Sequence, residues 1–127
     1  MNLKTAKIIF WTTTVLIFLL EGVVPALTSQ SGMAKEGLKH LGYPEYLGML
    51  LLPFKVLGAL ALVLPQVSGR IKEWAYAGFA IDFLGAFGSH LAVDGLGGDA
   101  VAPLVALAVL VASYISYHKI KTFQLPT

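Results

Sequence analysis

Four stretches of this chain stay apolar for about 17–20 residues each, the length at which a helix rising 1.5 Å per residue crosses about 30 Å of hydrocarbon. They run from about Ile8 to Leu27, Tyr46 to Leu64, Trp74 to Val93 and Val101 to Tyr117. Strands are far shorter, and a bilayer offers backbone amides and carbonyls no partners. Each stretch is therefore predicted to be a membrane-spanning helix. The chain's 127 residues allow one domain, read as an all-α four-helix transmembrane bundle over residues 1–127. Only 13% of the residues are charged, against about 25% in soluble domains.

Punctuation agrees with this division. Pro65 closes the second span, and Gly95, Gly97 and Gly98 interrupt the chain after the third. Trp74, Tyr46, Tyr114 and Tyr117 lie near span ends, where amphipathic rings favour the interface. Lys4, Lys7, Arg70, Lys72, Lys119 and Lys121 fall on one side, and only Lys35 and Lys39 on the other. The positive-inside rule then predicts cytoplasmic termini in a bacterial inner membrane. The first segment resembles a signal peptide in length, but Val24-Pro25-Ala26 is a poor cleavage site and Glu21 interrupts the apolar run. It is expected to remain as a span. Between the first two spans, Ser31 can cap a short helix carrying Met33, Leu38 and Leu41, and Gly42 can end it. This reads as an interfacial helix in the first outer loop.

Composition also sets chemical limits. Cysteine is absent, which excludes disulfides, thiolate metal sites and iron–sulfur ligation. His40, His90 and His118 do not suggest paired axial haem ligands, so no covalent cofactor is expected and the chain would not carry electrons alone. A scattered net charge of +2 gives no reason to expect nucleic acid as a partner.

Glu21, Lys55 and Asp82 are charged residues within the spans. A charge at a span centre costs about 2.5–3.5 kcal/mol on insertion scales. With alternating helix directions, the three should lie within about 6–8 Å in depth. Ala75, Gly78, Asp82, Gly85 and Ser89 recur at steps of three and four. That small-residue face predicts close helix approach, with Asp82 turned into the bundle. Gly48, Leu51, Lys55, Gly58 and Ala59 share a face of the second span, and Thr14, Glu21 and Thr28 form a sparse polar stripe on the first. Ala108, Ala112 and Ser116 on the fourth read as packing or a dimer face. Two acids face one base, so one acid is left to carry a proton, bond to His90 or meet a ligand. His90 is expected about 12 Å further out, as a ligand contact or proton relay at the mouth. The competing interpretation is an ion-pair network that fixes helix register alone. Asp94 and Asp99 read as loop acids. No His-x-x-x-His or Glu-x-x-His spacing occurs, so no metal site is expected.

Several ordered motifs carry a resemblance over nearly the whole chain. Leu41-Gly-Tyr-Pro-Glu-Tyr-Leu-Gly48, Lys55-Val-Leu-Gly-Ala-Leu-Ala-Leu-Val-Leu-Pro65, Ile71-Lys-Glu-Trp-Ala-Tyr-Ala-Gly-Phe-Ala-Ile-Asp82 and Ser89-His90 resemble the DoxX-like family of small bacterial membrane proteins. The resemblance implies a four-helix membrane domain whose motif carries over onto Glu21, Lys55, Asp82 and His90 without assigning them roles. The family takes its name from a subunit associated with a thiosulfate:quinone oxidoreductase. Sterol isomerases and sigma-2-like proteins share a similar plan, an analogy of fold alone.

Three functions follow as expectations. The first is binding of a small lipophilic molecule, a quinone- or isoprenoid-like lipid, at Glu21, Lys55, Asp82 and His90. The second is an assembly factor or chaperone docking another membrane protein through small-residue faces. The third is a subunit of a quinone-linked oxidoreductase or an isomerase-like enzyme using acid–base groups of unlike strength. The expected partners are the bilayer, a lipophilic small molecule, and a second copy or another membrane protein.

Overall fold

A computed structural model describes residues 2–124. Four helices in it are long and apolar enough to cross a membrane. They are α1 (Leu3–Thr28), α3 (Tyr46–Val63), α4 (Gly69–Asp94) and α5 (Gly98–Gln124). The shorter α2 (Gly32–His40) joins α1 to α3. No strand occurs among the described residues. Around the bundle each spanning helix has two main neighbours: α5 packs along α1 and α4, and α3 closes the ring between them.

The helices outrun the apolar segments because hydropathy marks depth in hydrocarbon, whereas capping decides where hydrogen bonding stops. Asn2 accepts from the Thr5 amide and starts α1 well before Ile8. Ser68 accepts from the Ile71 amide and starts α4 before Trp74. Gly95, at φ 75°, ends α4 in a conformation that penalises a side chain. The predicted short helix between the first two spans is present as α2, with Ser31 accepting from Ala34 and Gly42 at φ 86° just beyond its end.

One irregularity was not foreseen. Within α1, Leu19–Val23 form a π-turn, and the Val24 amide donates to the Leu19 carbonyl. Pro25 has no N–H to give the carbonyl of Glu21, four residues earlier, so the regular ladder cannot continue there. The extra residue re-aims Glu21. Such bulges concentrate at functional sites. Pro25 was the available signal.

The bundle is filled in one half and open in the other. Ile17, Ala59, Leu62, Tyr76, Phe79, Phe83 and Leu110 form the buried core, towards the end that carries the termini. A buried polar knot pins three helices in the same half: Ser113 Oγ lies 2.6 Å from Thr14 Oγ1 and 2.7 Å from the Tyr76 hydroxyl. The buried face of α5 runs through Leu110, Ser113 and Ser116. Of the Ala108–Ala112–Ser116 row, Ala108 is exposed and only Ser116 is buried, so that row is not the packing face.

Lys72 does more than add to the basic side of the bundle: it is 5% exposed. Its Nζ donates to the carbonyls of Ala61, Leu62 and Leu64 at 2.7, 3.1 and 2.8 Å. These carbonyls end α3 and have no helical amide to accept from, and a cation also suits the negative end of the helix dipole.

Two substitutions test this packing. Lys72→Met leaves the C-terminal carbonyls of α3 without their donor and is expected to cost about 1.5–3 kcal/mol, the range for hydrogen bonds to charged groups. In Gly22→Ala the new Cβ would stand 2.9 Å from Ala59 Cβ, and overpacking of this kind costs about 1–3 kcal/mol. Both should lower the thermal unfolding midpoint in detergent. Unchanged midpoints would count against these contacts.

Candidate functional site

Glu21, Lys55 and Asp82 meet at the level where the filled half gives way to the open half. Each lies one helical turn or less from a core residue: Ile17 before Glu21, Ala59 after Lys55 and Phe83 after Asp82. Lys55 Nζ stands 3.9 Å from Glu21 Oε1 and 3.8 Å from Asp82 Oδ2. The side chains retain 17, 26 and 30% exposure for Glu21, Lys55 and Asp82. One ammonium is thus held between two carboxylates, and all three reach open space.

That space is an open-mouthed cavity of about 750 Å³ lined by all five helices. Glu21, Lys55 and Asp82 line its inner end; Tyr43, Ser89, His90 and Asp99 line it further out. A second cleft of about 380 Å³ runs between α3 and α4. Its walls are apolar, with exposed Phe54, Leu57 and Trp74 at its edge, and it also ends on Lys55 and Asp82. The same two charges therefore face both the bundle interior and a groove on the apolar outer surface.

The small-residue row of α4 explains both openings and corrects its sequence reading. Ala75, Gly78 and Asp82 line the groove, and Asp82, Gly85 and Ser89 line the cavity. A Cβ added at Gly78 or Gly85 would meet nothing within 4 Å. The row does not mark close helix approach; it leaves room along α4. Periodicity shows which residues share a face, but whether a neighbour closes on that face depends on the larger side chains opposite.

The polar stripe on α1 also divides. Thr14 is buried against Ser113, and Thr28 bonds to its own helix at the Val24 carbonyl, 2.7 Å away. Only Glu21 belongs to the site. At the outer end, Tyr43 hydrogen-bonds to Ser89. His40 Nε2 donates to Asp94 Oδ1 at 2.5 Å, and His90 Nδ1 lies 3.5 Å from Asp94 Oδ2. Asp94 and Asp99 are not loop acids: Asp94 ends α4 and Asp99 is in the first turn of α5. Tyr43, His40 and Asp94 were missed because their partners lie 46 or 54 residues away. The single available hint was the i, i+4 spacing of His90 and Asp94.

Residues 9–113, which include Glu21, Lys55, Asp82 and His90, match the family pattern described as the DoxX-like family. The chain belongs to that family. No match to it was found among curated proteins or among solved structures. With four helices of spanning length, this DoxX-like protein is a multi-pass membrane protein.

The ion pairs of the DoxX-like site can be tested for their structural share. Lys55→Met leaves two carboxylates facing each other without their cation. It is expected to reduce stability by about 1–3 kcal/mol, less than the roughly 3–5 kcal/mol of fully buried pairs, because water retains access. Adding Glu21→Gln and Asp82→Asn should recover most of the loss. Thermal unfolding of the single and triple variants measures it, and a wild-type midpoint in Lys55→Met would argue against a structural contribution from Lys55.

Proposed function

We propose that this DoxX-like protein binds one small lipophilic molecule, quinone- or isoprenoid-like, with its polar end at Glu21, Lys55 and Asp82. The observation that carries the reading is the shared position of Lys55 and Asp82 at the junction of two openings. The apolar groove between α3 and α4 suits a hydrocarbon chain arriving sideways from the bilayer. The polar inner end of the cavity suits a carbonyl or hydroxyl. The cavity volume of about 750 Å³ falls within the range usual for small-molecule sites.

The charge count adds chemical detail. Lys55 can donate hydrogen bonds to a ligand carbonyl while its charge offsets one carboxylate. The second carboxylate then gains from a proton or a donor, and a ligand hydroxyl supplies one. A register-fixing ion network would be served as well by a filled bundle, whereas these side chains border open volume. The basic residues near the termini support a bacterial inner-membrane location with cytoplasmic termini, which puts the cavity mouth on the outer side.

Mass spectrometry of the protein purified in mild detergent tests the proposal. A co-purified lipophilic molecule, at up to one per chain, is expected in the wild type. Lys55→Ala removes the polar contact and should reduce occupancy at least about tenfold, equivalent to 1.4 kcal/mol. Gly78→Leu extends a side chain into the groove from a position with open space around it, and should reduce occupancy while the fold survives. An empty wild-type protein, or equal occupancy in all three, would overturn the reading.

A further inference from the structure

Where α2, α4 and α5 meet at the cavity mouth, the structure gathers side chains that the lipophilic-ligand proposal does not use. One ligating atom from each of His90, Asp94 and Asp99 lies within 4.8 Å of the other two. A second imidazole, His40, joins them through Asp94, with Nε2 2.5 Å from Oδ1. The four residues come from three helices and from widely separated parts of the chain. We propose that His40, His90, Asp94 and Asp99 bind a divalent first-row transition-metal ion of the zinc class at the mouth of the cavity.

The donor set fits that class. Two neutral imidazoles and two carboxylates make four ligands, and the two negative charges balance a divalent ion. Imidazole nitrogen favours zinc and its neighbours over magnesium or calcium, which prefer an all-oxygen shell. Ligand atoms about 2.0–2.2 Å from a tetrahedral zinc ion stand roughly 3.3–3.5 Å apart. The observed cluster, within 4.8 Å, exceeds that spacing by at most about 1.5 Å, a difference that rotation of the exposed side chains can close. His40 is 58% exposed, Asp94 28% and His90 25%, so both an ion and the rotating side chains have access from solvent. The other close histidine–carboxylate contact, His118 with Glu73 at 2.5 Å, forms no such three-residue group among the described residues.

A bound ion would tie α2 to the facing ends of α4 and α5. Leu38 of α2 lines the cavity, as does Tyr43 in the segment that follows. The metal would thus brace the wall over the opening. This site uses none of Glu21, Lys55 or Asp82, so it stands or falls separately from lipid binding.

Titration of the full chain in detergent micelles with Co²⁺ tests it, followed by displacement with Zn²⁺. One Co²⁺ per chain is expected, with visible d–d absorption that Zn²⁺ abolishes. His90→Ala, Asp99→Asn and His40→Ala should each weaken binding at least about tenfold, the lower bound seen even for groups that only support metal ligands. His118→Ala, at the opposite end of the bundle, should bind as the wild type does. Asp99→Asn preserves the size of an exposed side chain and remains informative if His90→Ala folds poorly. Absence of saturable Co²⁺ binding in the wild type, or wild-type affinity in both His90→Ala and Asp99→Asn, would overturn the inference.

Discussion

An ammonium at mid-depth in an apolar bundle needs partners, and Lys55 takes a carboxylate from each neighbouring helix. Glu21 of α1 and Asp82 of α4 stand 3.9 and 3.8 Å from its Nζ. That requirement sets the rotation of three helices at one level. Below it, towards the termini, aromatic and branched side chains fill the interior from Ile17 to Leu110. Above it, Gly85, Ala86, Ser89, Ala102 and Ala106 line open volume. The charges mark the boundary between the two halves, and being polar they are compatible with water or a ligand on the open side.

The filled half supplies the rigidity that the open half lacks. The Thr14–Ser113–Tyr76 knot and the Lys72 cap of α3 satisfy polar groups that would otherwise be stranded in or beside hydrocarbon. In a membrane there is little hydrophobic drive between helices, so such bonds and close packing carry the association. The open half is held mainly at its rim, by Tyr43 on Ser89 and His40 on Asp94. These bonds draw α2 and the segment after it across the cavity.

The π-turn at Leu19–Val23 connects the backbone to this site. Gly22 within it faces Ala59 so closely that an added Cβ would stand 2.9 Å from the alanine's. The missing side chain lets α1 approach α3 beside Lys55. The proline that interrupts the ladder and the glycine that permits contact therefore serve the same end, bringing Glu21 to Lys55.

Much of the molecule was legible in the residues themselves. Span count, the short helix between the first two spans and the identity of the charged trio follow from hydropathy, capping residues and the expense of intramembrane charge. All of these are local properties or functions of position along one helix. The small-residue row on α4 was legible as a face, but its meaning was not, because open space depends on Phe79 and the other large groups around it. The capping by Lys72 depends on how the next helix folds back over the end of α3, and the Thr14 knot and the His40–His90–Asp94–Asp99 cluster depend on helices separated by tens of residues. Sequence alone determined that three charges lie within about 6–8 Å of one another in depth in a four-helix membrane domain. Only the tertiary arrangement decided that they border a cavity, because volume between helices is the difference between side chains on facing surfaces and belongs to no single segment.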